Sequence, residues 1–329
     1  MANLETTYLG LKLKNPLIIS SSPLTFTPES VAELEQAGAA AVVVKSIFEE
    51  QIRADIGNMY DVLEGDTSGF AMEYLCADLP ARLGPEKYLK NIKAMRERVS
   101  IPVISSVNCA TSTVWVDYAR KIEDAGADAI ELNLYHMPTD IKKSSNEVED
   151  AHVKIMQAVN DAVALPVTVK LSRHYTALFH FARHLAQAGA SGVVLFNRFL
   201  HADINLDDES VFYKPNYSTP SVFPSQLRWA AVLRDWVKCD IAISGGIHSG
   251  DELTKALLVG ANAGYCCSVL LKNHSLTPIQ QILDRLSQWM DSKGYPDIAS
   301  FRGKLRETDL HDGHGFERAQ YIKAATEIV

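Results

Sequence analysis

Polar side chains occur inside or directly after several short apolar segments of this chain. Two lysines, Lys45 and Lys170, belong to segments that read AVVVKS and VTVKL. Three asparagines, Asn108, Asn133 and Asn197, follow further apolar segments. Burying such groups costs free energy unless a ligand or another protein group satisfies them. A bound cofactor with many hydrogen-bond acceptors accounts for all five positions at once.

A lysine within an apolar strand has two interpretations. In the functional one, its ammonium lies beside an electron-rich ring and stabilises negative charge that develops on reduction. In the structural one, it pairs with a core carboxylate such as Glu131, because buried charges are usually paired. Both interpretations are open for Lys45 and for Lys170.

The elements that must position these residues are eight apolar segments that alternate with amphipathic ones. This alternation predicts an α/β fold, a closed (β/α)8 TIM barrel, with the functional groups at the carboxyl ends of the strands. The predicted strands are Leu17–Ser22, Ala41–Ser46, Val103–Val107, Ala129–Leu134, Val167–Leu171, Gly192–Phe196, Ile241–Ser244 and Gly264–Leu270.

Segments outside this repeat are predicted to be additions to a single domain that covers residues 1–329. Residues 4–14 alternate around Gly10 and predict an N-terminal hairpin that caps the barrel bottom. Residues 198–222, after the sixth strand, predict an irregular insertion because they are rich in Asp, Asn, Ser and Pro. The long segment 48–83 follows the second strand, where long loops are usually functional.

The seventh strand leads into a glycine pair that is typical of phosphate binding. Gly245 and Gly246 follow Ser244, and a predicted helix comes next. Glycines let backbone N–H groups approach an anion. The ends of strands seven and eight, the latter with Cys267 and Ser268, are the usual phosphate position in such barrels. A glycine pair alone also forms simple turns, so the position carries the interpretation.

Composition narrows the partners and the compartment. The net charge of −8 argues against nucleic acid and against an anionic membrane surface. The five cysteines form no CxxC pair, which indicates reduced thiols and excludes iron–sulfur ligation. The histidines are scattered, so no metal site is expected. The N-terminus lacks the features of a signal peptide, and a cytoplasmic location is expected.

Taken in order, several segments resemble the dihydroorotate dehydrogenase family, in particular its soluble class 1 members. The segments that carry the resemblance are NPLIISSSP, VVVKS, SSVN, ELNL, VTVKL, FN, SGGI and FRGKL. They span most of the chain, from Leu4 to Leu305. The resemblance implies an FMN-containing barrel that oxidises dihydroorotate. In that reaction a base removes a C5 proton while hydride passes to flavin N5.

The resemblance also implies roles for individual residues and for partners. The flavin and its phosphate would be bound by Ser21, Ser22, Lys45, Ser46, Asn108, Asn133, Lys170, Ser244, Gly245, Gly246, Cys267 and Ser268. The substrate would be bound by Lys45, Asn133, Asn197 and Arg198. The expected partners are a small-molecule substrate, a second copy of the chain, and a separate subunit that accepts electrons.

Departures from the family fall in the substrate half of the site. Class 1 members continue from the strand-four asparagine with Leu-Ser-Cys-Pro-Asn, and the cysteine is the base. Here His136 takes the cysteine position and Pro138 that of a substrate-binding asparagine. His136 suits a replacement base, because an unperturbed histidine has a pKa of about 6.5. It can equally serve another substrate, or be a loop histidine in a protein without this chemistry.

Arg198 replaces a serine of the family after strand six. Its guanidinium can hold a carboxylate, or it can be an ordinary exposed side chain on the insertion.

Several functions are therefore open. The chain is a flavin oxidoreductase with His136 and Lys170 as catalytic residues, or an inactive or re-purposed FMN-binding protein. A flavin-free lyase that uses the Lys170 amine as a Schiff base is a third hypothesis. A reductase that acts on transfer RNA is disfavoured by the acidic balance.

Overall fold

The structure is a computed structural model that describes residues 2–49, 51–52, 84–108, 113–134, 139–198, 202–213, 217–306 and 316. Most of the segment 48–83 and the loop that carries His136 lie outside the described residues. Within the described part, no helix is long and apolar enough to cross a membrane. The assignment of residues 1–329 to one domain stays a prediction.

The chain forms a (β/α)8 barrel, as the alternation of segments predicts. The barrel strands run parallel, and β4 (Ala41–Val43) pairs with both β3 (Leu17–Ile19) and β6 (Val103–Asn108), which closes the ring. A short strand, β5, extends the second strand position and pairs with the end of β6. The barrel strands are β3 (Leu17–Ile19), β4 (Ala41–Val43), β5 (Ile47–Phe48), β6 (Val103–Asn108), β7 (Ala129–Asn133), β8 (Val167–Leu171), β9 (Gly192–Leu195), β12 (Asp240–Ser244) and β13 (Ala263–Cys266).

Helices cover the outside of the barrel, and capping residues fix where they begin and end. Thr27 caps the first helix through the Ser30 N–H, and the last one ends at Gly294, whose φ of 72° suits glycine. The helices are α1 (Pro28–Gln36), α2 (Pro85–Arg98), α3 (Thr113–Asp124), α4 (Ser145–Asn160), α5 (Leu178–Gln187), α6 (Phe223–Leu233), α7 (Gly250–Leu258), α8 (Ser268–Asn273) and α9 (Thr277–Lys293).

An N-terminal hairpin closes the barrel at the amino ends of its strands. Strands β1 (Thr6–Tyr8) and β2 (Leu11–Leu13) pair antiparallel. The hydroxyl of the fully buried Tyr8 shares hydrogen bonds with Tyr265 (3.3 Å) and Thr168 (3.4 Å) inside the barrel. The Leu9 N–H donates to Asp240 at the start of β12. The predicted hairpin is confirmed, and any ligand must enter from the opposite, carboxyl end.

Several predicted elements differ from the structure. The first strand ends at Ile19 rather than at Ser22, and the second at Val43 rather than at Ser46, with Ile47–Phe48 forming a separate short strand. The eighth strand ends at Cys266 rather than at Leu270, and Ser268 begins the short helix α8. The apolar run over residues 264–270 did not indicate this change from strand to helix, because a short apolar run fits a strand and a buried helix equally well. The insertion after strand six is not wholly irregular. It contains an antiparallel hairpin, β10 (Ala202–Asn205) with β11 (Ser210–Tyr213), whose polar residues gave no alternating pattern.

Candidate functional site

A cavity of about 580 Å³ lies at the carboxyl ends of the barrel strands. Most of the residues expected to bind cofactor or substrate line it, from six different strand positions. They are Ser21, Ser22, Lys45, Lys170, Asn197, Arg198, Ser244, Gly245, Gly246, Cys267 and Ser268. Residues far apart in sequence therefore share one wall, as the barrel topology predicts.

The charge of this cavity is opposite to that of the whole protein. Its lining includes four cations, Lys45, Lys170, Arg173 and Arg198, and no carboxylate among the described residues. The chain as a whole carries a net charge of −8. A concave site with one sign of charge concentrates ligands of the other sign. The cavity is therefore suited to a ligand with several negative groups.

Lys170 is held from behind by a buried carboxylate. Its ammonium lies 3.6 Å from Glu131, which is completely buried, and donates to the Ser20 hydroxyl at 3.3 Å. The Ser106 hydroxyl donates to the same Glu131 oxygen. The ion pair considered from the sequence thus exists for Lys170. Because Lys170 also faces the cavity, the pairing fixes the position of a cation that a ligand can contact.

Beneath this ion pair lies Tyr265, a tyrosine in the eighth barrel strand that the sequence did not single out. The Lys170 ammonium is 5.8 Å from the centre of its ring. Burial, and next the neighbouring Tyr8 and Glu131, raise the pKa of Tyr265 well above its usual value. Tyr265 therefore stays protonated and neutral beside the carboxylate.

Lys45 and Cys267 both line the cavity and influence each other's pKa. Burial lowers the pKa of the Lys45 ammonium, while the Cys267 thiol opposes that change. Burial raises the pKa of Cys267, opposed by Lys170, by a hydrogen bond to Ser22 and by Lys45. The thiol therefore stays protonated and neutral in a cavity that also holds Lys45 and Lys170.

Three of the predicted residues lie behind the cavity wall rather than on it. The Ser46 hydroxyl shares hydrogen bonds with Ser21 (3.0 Å) and Ser106 (2.8 Å). The amide of Asn133 donates to Ser46 and Ser106, and Asn108 pairs with Asn133 across adjacent strands. Ser46, and Asn133 through it, connect to the cavity wall at Ser21.

The glycine pair forms the expected turn, with φ of 94° at Gly245 and 84° at Gly246. The Gly246 N–H donates to the Ser218 hydroxyl at 3.2 Å, and the Ser218 N–H donates to Ser268 at 3.0 Å. Ser218, from the end of the insertion, thus bridges the two segments that were expected to hold a phosphate. Nothing in the local sequence around Ser218 signals this role.

Gln226 and Arg173 also line the cavity without having been predicted. Gln226 lies in α6, and its side-chain Oε1 is buried without a hydrogen-bond partner in the described structure. Arg173 follows Lys170 by three positions, just after the end of the same strand, so its place at the barrel mouth could have been predicted from the sequence. A helix residue such as Gln226 gives no comparable signal.

Neither a base nor a metal site can be assigned among the described residues. His136 lies outside them, so its placement stays a prediction. No group of three or more His, Cys, Asp or Glu residues that could hold a metal occurs in the described part. His180 and His184, overlooked in the sequence as a pair, lie one turn apart in α5 with ring centres 3.9 Å apart.

Comparisons with known proteins agree with this architecture. A catalytic subunit of dihydroorotate dehydrogenase B (NAD(+)) from Pyrococcus abyssi is 27% identical over 307 residues, which cover 91% of this chain and 98% of that protein. The Thermoplasma acidophilum protein of the same name is 26% identical over 92% of this chain and 99% of its own length. The NAD-dependent dihydropyrimidine dehydrogenase subunit PreA of Escherichia coli is 26% identical, over 97% of this chain and 80% of its own. The family model for dihydroorotate dehydrogenase matches residues 3–290, and the chain belongs to that family.

Proposed function

We propose that this protein is an FMN-dependent oxidoreductase that oxidises dihydroorotate or a related small cyclic carboxylate. The observation that carries the proposal is the barrel-mouth cavity. It combines an anchored cation, Lys170, with a glycine turn at Gly245 and Gly246. The relatives are named for oxidation of dihydroorotate or of dihydropyrimidines, which are both small rings with a CH–CH bond to oxidise.

The residues present fit FMN. Gln226 Oε1, at the cavity wall, is a buried polar atom that lacks a hydrogen-bond partner in the described structure, and a polar ring would provide one. The Gly245–Gly246 turn, with Ser268, offers backbone and hydroxyl groups to a phosphate. Ser218 accepts from Gly246, which leaves its own hydroxyl proton free to donate to a phosphate oxygen. When bound, FMN would supply a two-electron acceptor.

Individual residues of the protein would then have separate roles. Lys170, fixed by Glu131, would place a positive charge in the cavity that stabilises a reduced, negatively charged cofactor, and Lys45 would add a second. Ser21 and Ser22, which line the cavity, would contact the ring. Ser46, Asn108 and Asn133 would support them from behind, Ser46 and Asn133 through the hydroxyl and amide network. Asn197 and Arg198 would bind the substrate. His136 would remove the substrate proton.

A separate partner would receive the electrons. The relatives are named as a catalytic subunit and as a subunit, which supports an assembly with another chain. We propose such an electron-accepting subunit here, together with a homodimer of this chain.

The proposal predicts a yellow protein whose flavin band bleaches on anaerobic addition of dihydroorotate. The measurement is a visible-absorbance titration of the purified protein, with added FMN where occupancy is low. A band that stays under dihydroorotate would contradict the proposed substrate and favour a re-purposed FMN-binding protein. A protein that binds no FMN would contradict the proposed cofactor.

His136→Ala is expected to slow this bleaching by about 10²–10⁴-fold, the usual contribution of a general base. The FMN content should not change. His180→Ala, on the outer helix α5, is the matched control and should bleach at the wild-type rate. Equal rates in His136→Ala and the control would show that His136 is not the base.

The two glycines of the turn should respond differently to alanine. A Cβ at Gly246 would lie 2.8 Å from Phe223 Cβ and 2.9 Å from the Phe223 backbone nitrogen, so the turn must move. A Cβ at Gly245 meets only Gln226 Nε2 at 3.4 Å and Val222 Cγ2 at 4.0 Å. Gly246→Ala should therefore weaken FMN binding far more than Gly245→Ala. Both keep a strained positive φ, so the difference between them isolates the displacement of the turn. Equal FMN affinities, measured by flavin fluorescence, would contradict the phosphate assignment.

A further inference from the structure

We propose that Gln226 trades stability of the protein alone for affinity for the cofactor: its unpaired amide oxygen accepts a hydrogen bond from an N–H or O–H group of bound FMN. This inference rests on the proposed function and deepens it. It assigns the uncharged part of the cofactor to a helix residue, and it separates that role from the simpler one of joining α6 to the barrel.

Gln226 lies in the first turn of α6, beside the glycine turn. It lines the cavity, and only 2% of the residue is exposed. Its Nε2 lies 3.5 Å from the carbonyl oxygen of Ser244, the last residue of β12 before the turn. Ser244 is opposite Tyr265 in the register of β12 and β13, and the Lys170 ammonium lies over the Tyr265 ring. The amide therefore borders the part of the cavity that joins the glycine turn to Lys170.

The neighbours of the amide distinguish its two ends. The Ser244 carbonyl oxygen can only accept a hydrogen bond, so the Nε2 end of Gln226 faces it and Oε1 is the other end. Oε1 is buried and has no hydrogen-bond partner in the part of the chain that the structure describes. A buried acceptor without a donor costs free energy. A ligand that donates to Oε1 removes this cost.

The chemistry of the unpaired atom defines the ligand group that it can bind. Carboxylate and phosphate oxygens are acceptors at neutral pH, so they suit the lysines and the backbone N–H groups of the turn rather than Oε1. Oε1 needs an uncharged donor. FMN carries an N–H on its ring and hydroxyls on the chain that joins the ring to the phosphate. Gln226 therefore favours a ligand whose anionic phosphate is attached to a neutral part that bears donors.

Removal of the amide should leave no other group unpaired. The Ser244 carbonyl also accepts from the Phe196 N–H at 3.2 Å, which is a shorter contact than the one with Gln226. Gln226→Met keeps an unbranched side chain of similar length and removes both polar atoms. This variant therefore removes the unpaired oxygen without creating a new unpaired group.

Two measurements on the full chain test the inference. The FMN affinity of Gln226→Met, measured by flavin fluorescence, should fall about fivefold to tenfold, as the loss of one hydrogen bond does. The midpoint of urea unfolding of the flavin-free protein should stay the same or rise, because the unpaired oxygen is gone. Arg228→Met, at an exposed position two residues further along α6, is the matched control and should change neither quantity.

Lumiflavin, which has the ring but neither the hydroxyl chain nor the phosphate, identifies the donor. If Gln226→Met weakens lumiflavin and FMN binding equally, the donor is the ring N–H. If it weakens FMN binding alone, the donor is a hydroxyl of the chain. Either result supports the inference.

Two results would overturn it. The first is an FMN affinity of Gln226→Met equal to that of the control. The second is a flavin-free Gln226→Met protein that is less stable than the wild type, which would mean that the amide serves to hold α6 against β12. A wild-type protein that binds no FMN contradicts the proposed function as well. Unchanged FMN affinity in the variant, with a wild type that binds FMN, contradicts only the role of Gln226.

Discussion

Replacement of Lys170 by methionine is expected to lower the free energy of unfolding by about 3–5 kcal/mol, the usual result of breaking a buried ion pair. The cause is the buried carboxylate of Glu131, which would lose its counter-charge. Glu131 is completely buried, and its paired cation, 3.6 Å away, would be gone. Methionine fills a similar volume, so the loss reflects charge rather than packing. Urea unfolding of the wild type and variant measures the difference.

Two further variants separate the charge effect from any other consequence. Adding Glu131→Gln to Lys170→Met removes the unpaired carboxylate and should restore most of the lost stability. Lys45→Met is the matched control, because it removes the other lysine of the same cavity. Burial lowers the pKa of Lys45, so its charge is costly, and its removal should leave stability unchanged or raise it.

Equal destabilisation by Lys170→Met and Lys45→Met would contradict this account. So would a double variant that is less stable than Lys170→Met alone. Either result would mean that Glu131 is not the counter-charge of Lys170 in the folded protein.

The barrel and much of its mouth were predictable because the relevant signals are local and repeated. Apolar runs such as VTVKL mark buried parallel strands, and a polar residue at the end of such a run must lie at the carboxyl end of the barrel. Lys170 and the Gly245–Gly246 turn were therefore placed correctly in one cavity. The polar network that ties Ser46 and Asn133 to Ser21 was not predictable, since it depends on side-chain directions.

The residues that the sequence did not reveal belong to elements without a periodic pattern or to strand interiors. Ser218 reaches Gly246 from the end of an insertion whose course depends on tertiary contacts. Tyr265 lies in an apolar strand where a tyrosine is unremarkable, and its meaning comes from Tyr8 and Glu131 beside it. The early end of the eighth strand at Cys266 was missed because strand and helix share the same apolar run.

The second large effect concerns the electron chemistry of the proposed flavin. Lys170→Met should slow reduction by dihydroorotate about 10²–10³-fold, as the loss of one preorganised charge does. It should also lower the flavin midpoint potential, because the ammonium no longer stabilises the charge gained on reduction. Glu131→Gln removes the carboxylate that partly cancels the Lys170 charge, so it should raise the potential.

The opposite signs distinguish an electrostatic role from a structural one. Each shift should be on the order of 30 mV or more, which corresponds to a tenfold change for a two-electron couple. A general loosening of the site would move both variants in the same direction. Potentials measured by equilibration with a reference dye on protein loaded with FMN decide the point. Because Glu131 lies behind Lys170 and does not line the cavity, a rise in Glu131→Gln would reflect the removal of a negative charge that offsets Lys170, and not the loss of a contact with the flavin.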